Sequence, residues 1–197
     1  MKDLFLNNSI NFIKKNTKYK DDDLELIKYG LEGIYLTLTK TIILIILAII
    51  FNIVKELIFV IIFFNLIRFT AFGAHAEKSS ICLITSLILM LGLTLLVFKI
   101  SINPTIKLII CLLCIIDYIL FAPADTVKRP LTNKKKRIIR KIISIITSTI
   151  YTVLIINLNN MFFSNTLFIA LIIEAIMINP IMYKLFGVPF NNYKRIV

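Results

Sequence analysis

Ile42-Ile43-Leu44-Ile45-Ile46-Leu47-Ala48-Ile49-Ile50-Phe51 is an unbroken apolar stretch inside a mostly apolar segment from Ile34 to Val54. The pair Lys55-Glu56 interrupts it, and a second apolar run, Leu57 to Ile67, ends at Arg68. A helix needs about 20 mostly apolar residues to cross the hydrocarbon core, or somewhat fewer where flanking cations snorkel. The pattern therefore predicts two membrane spans joined by a tight hairpin, the second of them short. Four more apolar runs follow: Ile81 to Phe98, Thr105 to Phe121, Ile142 to Leu158 and Met161 to Tyr183. The expected fold is all-α, an integral membrane bundle of about six transmembrane helices.

Composition supports the same conclusion. Of 197 residues 58% are hydrophobic and 17% charged, against roughly 45–50% and about 25% in a soluble domain. Mean hydropathy is +0.89. A sphere of this size cannot bury that excess, which excludes a soluble globular enzyme, and disordered chains are poor in apolar residues. Residues 1–33 interleave Leu4, Phe5, Ile10, Phe12 and Ile13 with Lys14, Lys15, Lys18 and Lys20. They read as an amphipathic interfacial segment ahead of a membrane domain over 34–197. No short apolar core with a small-residue cleavage site precedes the first span, which is expected to remain in the mature protein.

The net charge of +12 could suggest nucleic acid, but the cations cluster between apolar runs, as the positive-inside bias requires. With six spans, nineteen Lys and Arg fall on one side and three (Lys55, Lys99, Lys107) on the other. Both termini and the segments 68–80 and 122–141 are thereby assigned to the cytoplasm. No nucleic-acid partner is expected. Cys82, Cys111 and Cys114 lie in or beside apolar runs and do not form the framework of a disulfide scaffold.

The polar stretch between the second and third spans carries the chemistry. Arg68-Phe-Thr-Ala-Phe-Gly73-Ala-His75-Ala-Glu77-Lys-Ser79-Ser80-Ile-Cys82 holds the chain's one histidine, with a cysteine seven residues on. Ser79 or Ser80 is a natural helix N-cap, placing Cys82 in the first turn, where backbone amides favour an anion and hence a thiolate. A nearby imidazole could act as general base. On a straight helix the two residues would share a face but stand about 10.5 Å apart. A dyad therefore needs a break, which Gly73-Ala74 and a loop through Glu77-Lys78 could supply. The alternative reading of the same residues is an interfacial loop histidine and a small apolar cysteine.

Arg68, Phe72-Gly73-Ala74-His75-Ala76 and Cys82 together resemble the signature of the accessory gene regulator B (AgrB) family. Ala122-Pro123-Ala124-Asp125-Thr126, with Pro130 beyond, is similar to a second stretch of that family. Size, span count, amphipathic N-terminus and central basic loop also match. The resemblance implies a multi-pass cell-membrane cysteine endopeptidase of quorum sensing with its active site facing the cytoplasm. It implies an AgrD-like propeptide as substrate, cut at its C-terminal tail and closed into a cyclic thiolactone. Cys82 would be the nucleophile and His75 the general base and acid, in a catalytic loop over 68–82. It further implies self-association as a homodimer. No cofactor is expected.

Other constellations in the sequence compete with this one. His75-Ala76-Glu77 with Cys111-Leu-Leu-Cys114 mimics the order of zinc deaminase ligands. No proline precedes Cys111, however, and the pair lies inside the fourth span, so no metal is expected. Asp117 and Glu174 are intramembrane acids, which usually face a partner or cavity. Asp117, near the end of its span, is the candidate orienting acid for His75, and Glu174 is expected to bond between helices. Arg68 either snorkels or holds the loop and anchors substrate, and Gly73 belongs to the same segment. Lys128 to Lys141 carries eight cations and no acid, which suits anionic lipid. Within it Lys134, Lys135, Lys136 and Arg137 are also expected to gather the acidic tail of a propeptide. The alternative function is a non-enzymatic adaptor or small-solute transporter with 68–80 as a re-entrant binding loop. The absence of a convincing internal repeat speaks against a transporter.

Overall fold

The computed structural model describes residues 2–17, 19, 21–76, 78–100, 102–126 and 130–195. Two compact units divide the chain, Met1–Leu47 and Ala48–Val197. In the first, α1 (Lys2–Asn16) precedes the early turns of α2 (Asp21–Ile50), and the rings of Phe5 and Tyr35 pack 5.4 Å apart. The compositional boundary expected between residues 33 and 34 falls inside α2. Leu24, Glu25, Leu31 and Glu32 are good helix formers and no proline intervenes, so the backbone stays helical across a change of solvent. Within the apolar part, the hydroxyls of Thr39 and Thr41 donate to carbonyls one turn back, the usual way such groups are satisfied in lipid.

The second unit holds α3 (Val54–Ala71), α4 (Ser79–Ser86), a π-helical turn (Leu87–Gly92), α5 (Leu93–Lys99), α6 (Pro104–Phe121), α7 (Lys134–Asn157), α8 (Met161–Ile178) and α9 (Pro180–Leu185). A 3₁₀ turn follows at Asn192–Arg195. Among the described residues, five helical stretches are long and apolar enough to cross a membrane: Asp23–Ile50, Ser79–Lys99, α6, α7 and α8. The remaining predicted span is α3, whose eighteen residues include Lys55, Glu56 and Arg68. Its apolar stretch, Leu57 to Ile67, rises only about 16 Å of the roughly 30 Å core. Rows of isoleucine and leucine on the other helices stay exposed, among them Ile138, Ile142, Ile146 and Ile150 on α7. Apolar faces of that extent belong in lipid.

Asparagines start four of these helices. The side chains of Asn103, Asn133, Asn160 and Asn179 accept a backbone N–H two or three residues on, and Pro104 and Pro180 occupy first helical positions. Two expected boundaries move as a result. The cations from Lys134 to Lys141 are the opening turns of α7 rather than loop, because Asn133 caps ahead of them. The last span ends at Ile178, because Asn179-Pro180 restarts the chain as α9.

α8 is the hub, packed on α3, α6 and α7, and 67% of its span is buried against 28% or less for the other four. Polar side chains tie its neighbours to it or to each other, as packing in a bilayer favours. Tyr118 Oη donates to Leu171 O at 3.4 Å, Tyr151 Oη to Phe63 O at 3.0 Å, and Ser164 Oγ to Ile155 O at 2.8 Å. Lys107, 4% exposed, donates from α6 to Asn165 Oδ1 and, at 3.3 Å, to Ser164 Oγ. Its ammonium also lies 5.8 Å from the Phe168 ring centre. Truncating Lys107 to Ala should cost about 1–3 kcal/mol by stranding Asn165 Oδ1. The double variant Lys107→Met with Asn165→Leu should recover most of it. Thermal midpoints in detergent check both.

Candidate active site

α3 ends in two unusual backbone conformations. Phe72 has φ +62° and Gly73 φ +124°, which turn the chain away from the helix axis and leave 72–76 non-helical. Gly73 is required there for space as well as for conformation. A Cβ on it would stand 3.0 Å from Arg68 Nη1, 3.2 Å from Met177 O and 3.3 Å from Glu174 Oε1.

Those three neighbours describe how the segment is held. Arg68 Nη1 donates to Glu174 Oε2 at 3.0 Å and Nη2 to Ala74 O at 3.0 Å. Glu174 is wholly buried in α8, while the Arg68 side chain is 23% exposed. The arginine thus crosses its own loop, linking α8 to the carbonyl just before His75. Oε1 of Glu174 makes no hydrogen bond and packs against Gly73. Phe72 N–H closes the helix on Arg68 O, and Ala74 N–H donates to Met177 O at 2.7 Å.

A second irregular stretch lies alongside. α6 ends at Phe121, the Ala122–Pro123 peptide is cis, and Ala124 pairs with Phe72 in an isolated parallel bridge. Ala124 N–H donates to Ala71 O at 2.8 Å and Gly73 N–H to Ala124 O at 3.0 Å. Tyr183 Oη on α9 donates to Ala124 O at 2.7 Å. Asp125, fully buried, accepts the backbone N–H groups of Asn192, Tyr193 and Leu131 at 2.9, 2.8 and 3.2 Å. Arg140 of α7 donates to Phe69 O at 2.8 Å and lies 4.5 Å from the Phe72 ring centre. Sequence reasoning missed Tyr183, Asn192 and Arg140. Asn179-Pro180 was a signal that a separate element holding Tyr183 begins there.

His75 extends from this braced segment with its ring exposed, between buried Ala74 and Ala76. Its Nδ1 lies 3.2 Å from Ala76 O, and a neutral ring donating there keeps its basic lone pair on Nε2. Cys82 is half-buried in α4. Its N–H bonds Lys78 O at 3.1 Å, so it is the first residue of α4 with a complete helical bond. Neither serine caps the helix: Lys78, extended at φ −82° and ψ 126°, takes the cap position without a side-chain bond, because Ser79 is already helical. Of the expected break, 73–76 and Lys78 are non-helical, and Glu77 lies outside the described residues.

Other candidates are distributed around this core. Asp117, one turn before the end of α6, has Oδ1 3.5 Å from Nδ2 of Asn179 at the α8–α9 corner. Lys134, Lys135 and Lys136 are exposed on the first turn of α7, and the Arg137 guanidinium stacks 3.7 Å from the Tyr193 ring centre. Cys111 and Cys114 are buried on α6. Among the described residues no three His, Cys, Asp or Glu side chains gather as metal ligands.

A family model described as Accessory gene regulator B matches residues 6–178. An AgrB-like protein of Clostridium acetobutylicum is 29% identical over 186 residues, 92% of this chain and 88% of its own. The accessory gene regulator protein B of Staphylococcus aureus is 33% identical over 158 residues, covering 80% and 83%. An AgrB-like protein of Lactiplantibacillus plantarum is 28% identical over 179 residues, covering 89% and 86%. No solved structure matches the chain.

Removing Glu174 would leave the Arg68 cation without its partner at a half-buried site. Glu174→Ala should lower stability by about 3–5 kcal/mol, and Glu174→Gln, which keeps an acceptor, by less. Equal losses in a thermal aggregation assay would mean that the charge of Glu174, not its capacity to accept a hydrogen bond, carries the interaction, and no loss in either would mean that the arginine bond contributes nothing.

Proposed function

The chain belongs to the accessory gene regulator B family, and from that premise we propose that it is a membrane cysteine endopeptidase maturing a quorum-sensing propeptide. The observation that supports this most is the braced non-helical segment 72–76. It presents His75 beyond the end of α3, with three residues between it and the helix that bears Cys82.

The reaction is acyl transfer in two steps. The Cys82 thiol gives its proton to Nε2 of His75 and its sulfur attacks the carbonyl preceding the propeptide's tail. The imidazolium returns the proton to the leaving amine, the peptide bond breaks, and a thioester joins Cys82 to the remainder. A cysteine within the AgrD-type remainder then attacks that thioester. Its proton passes to the departing Cys82 sulfur, and the ring closes as a thiolactone with no net change of oxidation state. Shielding at the membrane edge protects the thioester from water. Arg68 and Gly73 hold the segment in place, and Asp117 acts as orienting acid. The cations Lys134, Lys135, Lys136 and Arg137 draw in an acidic tail by their field. The site and both termini face the cytoplasm in this reading, which the nineteen-to-three distribution of cations counted over six spans supports. The working form is a homodimer.

The test is tail release from a synthetic AgrD-type propeptide by protein reconstituted in vesicles, followed by mass spectrometry. Cys82→Ala should release no tail, and the wild type should accumulate a hydroxylamine-labile adduct equal to the propeptide minus its tail. His75→Ala should lower kcat by about 10²–10⁴-fold. Asp117→Asn should lower kcat without raising KM, while Cys111→Ser and Cys114→Ser leave tail release intact. Tail release by Cys82→Ala would overturn the mechanism, and wild-type kcat in Asp117→Asn would strike that residue from it.

Neutralising Lys134, Lys135, Lys136 and Arg137 together should raise KM more than it lowers kcat. An unchanged KM would remove the basic turn from substrate capture.

A further inference from the structure

Beside the braced loops is a second feature, which shares Lys134 and Arg137 with the peptidase reading but adds Thr132, Tyr193 and Lys194 to them. Thr132, Lys134, Arg137, Tyr193 and Lys194 line an open hollow of about 440 Å³. Its walls come from two distant parts of the chain, the start of α7 and the C-terminal 3₁₀ turn. They contribute three cations, a hydroxyl and a phenol, and no acid. Among the described residues none of these cations forms an ion pair. The Arg137 guanidinium carbon lies 3.7 Å and the Lys194 ammonium 6.0 Å from the Tyr193 ring centre. A guanidinium held over a ring by its face keeps its N–H groups for a bidentate acceptor such as phosphate. The macrodipole also disfavours cations at this end of α7, so an anion relieves an existing repulsion.

What lies next to the hollow selects the kind of anion. One turn further along α7, Ile138, Ile139 and Ile142 are 49%, 56% and 52% exposed, on a helix long and apolar enough to span the bilayer. A ligand with its charge in the hollow therefore meets an apolar wall immediately beside it. That is the layout of an amphiphile with an anionic head. We propose that the hollow is a binding site for the phosphate headgroup of an anionic phospholipid, and that its occupancy steadies the 72–76 segment.

The second half of the proposal follows from hydrogen bonds already described. Tyr193, which floors the hollow, donates its N–H to Asp125 Oδ2, and Asn192 donates to Oδ1. Next to Asp125, Ala124 receives Gly73 N–H and donates to Ala71 O. A headgroup drawn to Arg137 and Lys194 holds the C-terminal turn against α7. The turn in turn holds Asp125, and Asp125 the strand-like pairing under His75. Of the four cations assigned to the peptide's tail, Lys134 and Arg137 line the hollow, and Lys135 and Lys136 lie outside it.

Neither readout of the test needs a substrate, so its failure is distinct from failure of the peptidase reading. The full-length protein is placed in nanodiscs of phosphatidylcholine alone or doped with phosphatidylglycerol. Retained lipid is read by native mass spectrometry and amide exchange by residue. One phosphatidylglycerol should be retained, with exchange slowed at Asn192, Tyr193, Gly73 and Ala74. Arg137→Gln with Lys194→Gln should weaken retention about 25-fold, or roughly fivefold per cation, and abolish the slowing. The charge-matched pair Lys135→Gln with Lys136→Gln should keep both. Equal loss in the two double variants would overturn a discrete site in favour of a diffuse field. Retention without slower exchange at Gly73 and Ala74 would overturn the coupling. Slowing by inorganic phosphate in phosphatidylcholine alone would overturn the lipid assignment, as would slowing by an acidic peptide.

Discussion

A carboxylate with no exposure to solvent, Glu174 one turn before the end of the most buried helix, is the constraint on which the rest of this end of the bundle depends. An ionised group placed there needs a partner, and the partner is Arg68 from the last turn of α3. Because Arg68 has a second N–H edge, the same side chain reaches Ala74 O. The ion pair that ties two helices together is thereby also the fastener of the loop between α3 and α4. Gly73 is the third component: it is the residue on which the guanidinium, the orphan carboxylate oxygen and a carbonyl of α8 all converge. Any side chain there must displace one of them.

Irregular backbone at membrane depth is tolerated only where its polar groups are satisfied by protein or water. Here two interruptions satisfy each other. Ala71 and Gly73 exchange backbone hydrogen bonds with Ala124 across the gap between the ends of α3 and α6, and Tyr183 and Asp125 secure the second stretch to α9 and the C-terminal turn. A segment that could have been a flexible linker becomes a fixed platform, and a reactive pair needs such support to stay in register. At the other end of the bundle Lys107 is treated differently. It meets only neutral acceptors and an aromatic face, an arrangement suited to joining helices rather than to chemistry.

How much of this was readable beforehand varies residue by residue. The apolar runs disclosed the membrane helices, because exposure to lipid acts on each side chain separately and leaves its mark in composition. The ends of those helices were less legible. α2 begins well before its apolar part and α7 before its own, since helix formation follows propensity and caps such as Asn133 rather than hydropathy. The break around Gly73 was anticipated from the distance between His75 and Cys82 on a straight helix. The serine cap was not realised, because the helix had already started at Ser79.

The linear order of residues determined the solvent, the helices, the charge asymmetry and the resemblance carried by Arg68, Gly73, His75 and Cys82. Each of those depends on near neighbours or on counts. Only the tertiary structure decided that Glu174 would meet Arg68 across 106 positions, that Ala124 would lie under Gly73, and that Asp125 would hold the chain's own C-terminal turn. Those pairings depend on which helix ends the bundle brings together. Such proximity is set by the packing of α8 against its neighbours, and no local pattern in the sequence encodes it.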